Sequence, residues 1–173
     1  MRVGIFSGTF DPVHKGHIAF ALEAAKVSGL DRVVLLPEQN PRGKHSVSGH
    51  ASRVALLQQA VAEHPLLDVI TVSSPQFTVD DTLPELQQLF NNAELTFLLG
   101  SDVARSLGHW HNLPALLQAV SFVVGMRQGD DQAEIEAAME RVAATHGLPV
   151  RYRIIQSPHA ALASTHIRNG HML

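Results

Sequence analysis

Two histidines, His14 and His17, stand three residues apart where a helix reads as beginning, behind a turn broken by Gly8 and Pro12. That spacing brings both rings to the same side of the helix. The first-turn N–H groups and the helix dipole favour an anion above the turn. Two imidazoles over a cluster of backbone amides suit a polyphosphate. A second phosphate site reads from Ser164-Thr165-x-Ile167-Arg168 near the other end of the chain. Serine is a preferred N-cap, and the amides behind it can take phosphate oxygens. Arg168, three residues after Thr165, can lean over the same terminus with a guanidinium fork.

The elements that must position these groups alternate along the chain. Strands read at Val3 to Phe6, Val33 to Leu36, Leu67 to Val72, Leu95 to Leu99, Val120 to Val124 and Val150 to Ile155. Between them run amphipathic helices at Ile18 to Val27, Ala51 to Ala62, Leu83 to Phe90, a short piece after Asp102, Pro114 to Gln118 and Asp130 to His146, with a last one opening at Ser164. The residues from Phe77 to Leu83 read as a polar link, and the acidic start of the Asp130 helix as a solvated face. Solidly apolar, β-branched strands alternating with helices predict an α/β fold. It is a single Rossmann-like, doubly wound parallel sheet of five to six strands with helices on both faces. One domain spans 1–173. Ligands of such sheets sit outside the carboxyl ends of the strands, where strand order reverses. The turn after strand one, the long polar loop Pro37 to Gly49, Gly100-Ser101-Asp102 and Ser164 to Arg168 all fall there.

Composition narrows the class. Hydrophobic residues are 45% and charged residues 17% of the 173, an ordinary globular balance. A net charge of −3 argues against a nonspecific nucleic-acid binder, so a phosphate site must be local. The absence of cysteine excludes disulfides, thiolate nucleophiles and cysteine-ligated zinc. His109-x-His111, the best metal-like pair among eleven histidines, lacks a third partner at ligand spacing and reads as surface, so no protein-bound metal is expected. Met1-Arg2 leads straight into a strand, no apolar stretch is long enough to span a bilayer, and the expected location is cytoplasmic.

Gly8-Thr9-Phe10-Asp11-Pro12 followed by His14-Lys15-Gly16-His17, with Ser164-Thr165-x-Ile167-Arg168, resembles the nucleotidyltransferases that carry an H-x-G-H motif. The resemblance implies transfer of a nucleotidyl group from ATP or CTP, ATP with Mg²⁺ being the donor expected here, onto a phosphate monoester. It also implies that His14, His17 and Arg168 are catalytic. The nucleotide would be bound by Gly8, Thr9, Phe10, His14, His17, Gly100, Asp102, Ser164, Thr165 and Arg168. Such a phosphate is ionised near neutral pH and needs no general base, so catalysis reduces to alignment and charge neutralisation.

Pro37-x-x-x-Pro41-x-x-Lys44, Thr78-x-x-x-Thr82-Leu83 and Gly100-x-Asp102 followed by Trp110 are similar to the bacterial nicotinate mononucleotide adenylyltransferases. This likeness implies a mononucleotide acceptor bound by Lys44, Thr82 and Trp110, with the indole stacked on the pyridine ring. Arg42-Gly43 and Phe77 depart from that group's usual residues, and the chain stops five residues after Arg168, where the group's terminal helix would be reduced. Nicotinate and nicotinamide remain open as acceptors. So do pantetheine-phosphate adenylyl transfer, cytidylyl transfer and a non-catalytic nucleotide-binding module. ATP and a mononucleotide are the expected partners, and the sequence is compatible with a homo-oligomer.

Overall fold

The computed structural model describes residues 1–43 and 46–156. Six parallel strands form one sheet: β1 (Arg2–Gly8), β2 (Arg32–Pro37), β3 (Leu67–Val69), β4 (Glu94–Gly100), β5 (Val120–Met126) and β6 (Tyr152–Gln156). Their order is β3-β2-β1-β4-β5-β6, so the winding reverses between β1 and β4. The helices are α1 (Lys15–Ser28), α2 (His50–Val61), α3 (Val79–Leu89), α4 (Ser101–Ser106), α5 (Leu113–Ala119) and α6 (Gln132–His146). A 3-10 turn at Leu107–His109 follows α4. This is the Rossmann-like architecture that the alternating pattern predicts.

Each strand feeds two cores because successive side chains point to opposite faces. Val3, Ile5, Val34, Leu36, Phe97, Leu99, Phe122 and Val124 pack under α3 to α6. Phe6, Val33, Leu35, Leu98 and Val123 pack under α1 and α2, against Phe20, Ala21, Ala24, Leu57 and Val61. The run Val33 to Leu36 is buried throughout, which is why it shows no alternation in sequence.

Three boundaries differ from the sequence expectation. β3 stops at Val69 instead of Val72; in the same register Ile70 would fall opposite Leu36 and Thr71 opposite Pro37, which has no N–H to offer the ladder. Within the expected polar link at Phe77 to Leu83, Val79 to Leu83 form the first turn and a half of α3. Thr78 caps it by accepting from the Asp81 amide at 3.1 Å, and Asp80 and Asp81 favour its dipole. Asp130 is not part of a solvated helix start either. Asp131 caps α6, and Asp130 turns back to the Arg127 amide and to Arg105. Among the described residues no helix is long and apolar enough to cross a membrane.

One close approach ties α1 to the sheet. A Cβ on Gly125 would lie 2.7 Å from the ring of Phe20, which is buried and meets Phe6 edge-on at 5.3 Å. Only a glycine at this point of β5 lets the ring rest on the strand. Gly125→Ala is expected to destabilise the fold by about 1–3 kcal/mol through overpacking. A urea titration would show a lower midpoint with an unchanged slope.

Candidate active site

A cleft of about 1000 Å³ opens over the carboxyl ends of β1 and β4, at the reversal of strand order. Gly8, Thr9, Phe10, His14, His17, Gly100, Asp102 and Trp110 all line it. Two ends of the chain's first half and two of its second thus meet at one opening.

The β1–α1 turn forms the floor. Phe10 holds a left-handed backbone conformation (φ 49°), which a bulky residue adopts only where its surroundings compel it. Its buried ring supplies that grip, packed edge-on against Phe6 at 5.2 Å and His17 at 5.1 Å. His14 is the N-cap of α1, and its own backbone N–H donates to Nδ1 of His17 at 3.2 Å. That amide is therefore engaged by a ring. Because Nδ1 of His17 accepts there, the neutral imidazole carries its hydrogen on Nε2. The two rings stack with centroids 3.7 Å apart and planes 26° from parallel.

Burial, with a smaller push from the Arg127 charge, lowers the pKa of His14 from 6.5 to about 4. Among the described residues its buried Nδ1 finds no hydrogen-bond partner, and neither does the buried hydroxyl of Ser7 at the end of β1. Unsatisfied buried polar atoms are rare, and these two border the same cleft. No acidic residue stands in the first turn of α1, which keeps that end of the helix favourable to an anion.

At the end of β4, Asp102 reaches Arg127, on the loop leaving β5, with 3.3 Å between Oδ1 and Nη2. Gly100 makes room for this carboxylate, since a Cβ there would lie 2.8 Å from Asp102 Oδ1. Arg127 is held by its backbone, whose N–H donates to Asp130 at 2.5 Å. Burial disfavours the ionised form of Asp130, but the nearby Ser101 hydroxyl, Arg105 and the Arg127 amide outweigh it and hold the carboxyl at about 2. The sequence reading missed Arg127. Its position just past an apolar strand, at the carboxyl edge of the sheet, was the available signal.

The opposite wall comes from the loop after β2. The Glu38 N–H donates to the Gly8 carbonyl at 3.0 Å, while its carboxylate accepts from the Phe77 N–H at 3.0 Å. Arg42 donates to the Gln76 side chain at 2.9 Å. Phe77 and Trp110 face each other with centroids 5.5 Å apart, and Phe77 meets Phe97 edge-on behind. Asp80 accepts from Asn112 at 2.6 Å and bonds the His111 ring at 2.8 Å, bracing the loop that presents Trp110. His109 and His111 are exposed, as the sequence reading has them, on the rim of the cleft.

Thr82 does not line the cleft. It is fully buried, and its hydroxyl accepts from the Thr78 N–H at 3.1 Å, holding the cap of α3 from beneath. Thr78, one helical turn earlier, faces the opening. Lys44, Ser164, Thr165 and Arg168 lie outside the described residues.

Residues 5–170 match the cytidylyltransferase-like family model, nearly the whole chain. The chain belongs to this family. Among its relatives, a protein of Neisseria meningitidis serogroup A named "Probable nicotinate-nucleotide adenylyltransferase" is 33% identical over 174 residues, covering 98% of this chain and 88% of that one. One of the same name from Herpetosiphon aurantiacus is 34% identical over 173 residues, covering 97% and 85%. The fold is similar to that of Plasmodium falciparum nicotinic acid mononucleotide adenylyltransferase complexed with NaAD. The TM-score is 0.78 at 17% identity, over 97% of this chain and 82% of that one.

In this cytidylyltransferase-like chain no group of three metal-ligating side chains occurs among the described residues. The site is instead poised by a histidine held neutral. Between pH 6.5 and 4 an unfolded chain binds more protons at His14 than the folded one. The stability tied to His14 is therefore intact above 6.5 and declines as pH falls toward 4. The His14 ring is expected to titrate near pH 4 by NMR, and His14→Gln to show a shallower loss of stability across that window.

Proposed function

We propose that the protein is an adenylyltransferase that moves AMP from MgATP to a pyridine mononucleotide, nicotinate mononucleotide first among acceptors. The observation that carries this reading is the shared cleft. An anion-ready turn with His14 and His17 shares one cleft with the aromatic pair Phe77 and Trp110 and with Asp102. The names of the relatives agree with it.

In this reading the acceptor's phosphate oxygen attacks the α-phosphorus of ATP. A new P–O bond forms, the bond to the bridging oxygen of the β-phosphate breaks, and pyrophosphate leaves with that oxygen. The protein's part is alignment and charge stabilisation. Nε2–H of His17 donates to a phosphate oxygen. His14, neutral when the cleft is empty, gains a proton more readily beside the polyanion and shares the charge. Asp102 receives a ribose hydroxyl, and Arg127 adds a guanidinium at the same edge. Trp110 and Phe77 hold the pyridine ring by stacking. By the sequence resemblance, Lys44, Ser164, Thr165 and Arg168 complete the phosphate contacts. Magnesium belongs with the nucleotide, held by phosphate oxygens and water, a binding mode common for this ion.

Pyrophosphate release from MgATP is expected with nicotinate or nicotinamide mononucleotide and not with phosphopantetheine; the reverse preference would overturn the acceptor assignment. His17→Ala and Arg168→Ala should each lower kcat at least about 100-fold with little loss of stability. Trp110→Ala should raise KM for the mononucleotide about tenfold while leaving that for ATP nearly unchanged. Equal effects on both substrates would argue against ring stacking.

A further inference from the structure

Arg53, on α2, does not line the cleft, yet it is the largest fully buried side chain among the described residues, 1% exposed. Its three nitrogens each serve a different carbonyl. Nη1 donates to Thr9 at 2.7 Å, Nη2 to Gln39 at 3.0 Å and Nε to Ser48 at 2.9 Å. Thr9 belongs to the turn after β1, Gln39 to the loop after β2, and Ser48 to the approach to α2. One planar group thus ties together three segments just past the β1–β2 ladder, whose last pair is Gly8 and Pro37.

The same segments carry further ties. The Ser48 N–H donates to the Asp11 carboxylate at 3.1 Å. Glu38 links Gly8 to Phe77, as described above. Burial disfavours the Arg53 charge, and the carboxylates of Asp11 and Glu38 oppose that penalty. A buried ion is a poor way to gain stability, because an apolar side chain of similar volume fills such a site at less desolvation cost. What a guanidinium supplies, and neither an apolar residue nor a lysine can, is donors in three fixed directions.

We propose that Arg53 is a positioning residue for adenylyl transfer, holding the nucleotide-binding turn at Thr9 and the acceptor-side loop at Gln39 at one fixed separation. The inference rests on the adenylyltransferase reading for its consequence, since in-line attack needs the two substrates placed within a fraction of an ångström. Each loop on its own side still binds its substrate when the brace is lost; the meeting of the two is what suffers.

The test is Arg53→Lys, which keeps the charge facing Asp11 and Glu38 and loses the fork. With both substrates saturating, kcat should fall about 100-fold, while KM for MgATP and for the mononucleotide stays within about threefold. A change in KM alone, or an unchanged kcat, would overturn the proposal. Hydrogen exchange on the ligand-free protein reads the brace without any turnover. Amides of 8–12 and of 38–42 should exchange faster together while those of β1 and β4 keep their protection; acceleration in only one of the two loops, or in neither, would also overturn it. If wild-type protein releases no pyrophosphate while exchange responds as expected, it is the adenylyltransferase reading that fails and not the brace. Arg53→Ala with added guanidinium ion guards against a variant that merely folds poorly. Recovery of kcat along with the melting temperature supports positioning, and recovery of the melting temperature alone shows a structural role only.

Discussion

A sheet of parallel strands is apolar on both faces, and both must be covered; this constraint generates the rest of the molecule. Helices on one face continue the chain away from β1 through β2 to β3, and those on the other continue it through β4 to β6. The two windings part at β1 and β4, and among the described residues no backbone fills the gap between their carboxyl ends. The cleft is therefore a by-product of covering a sheet twice. Phe6 and Phe97, one from each core, both line its floor.

The electrostatics of that opening are local. A chain with a formal charge of −3 offers no broad positive field. It offers a helix end free of acids, a neutral His14 stacked on His17 and one guanidinium already matched with a carboxylate. The floor is rigid for a different reason: the left-handed Phe10 is clamped by aromatic contacts on two sides, so the amides around it cannot relax into a commoner turn.

Much of this was legible in residue order. The strands were visible because a doubly covered strand is apolar at every position, as at Val33 to Leu36. The phosphate turn was visible because His14 and His17 share a helical face. What stayed hidden depends on contacts made across the fold. Thr82 looked equivalent to Thr78, but only the three-dimensional turn shows that one hydroxyl faces the opening and the other supports it from below. Arg127 shows only its place just past an apolar strand, and Arg53 carries no local signal at all. One acquires meaning from Asp102, on a different strand end, and the other from three carbonyls between five and forty-four positions away. Asp130 misled for the same reason: an acidic residue before a helix reads as solvated until its partner is seen.

The place of β1 in the sheet also has a temporal side. Arg2 pairs with Glu94, so more than ninety residues leave the ribosome before the first strand acquires its second neighbour. At synthesis rates of about 5–20 residues per second that wait lasts several seconds. During it the amino-terminal half can assemble β1, β2 and β3 with the histidine turn in place, while the side of β1 awaiting β4 stands as an unpaired edge. Nascent chains of this protein thus pass through an interval in which the phosphate turn exists and the chamber around it does not. Shielding that edge falls to whatever attends the emerging polypeptide.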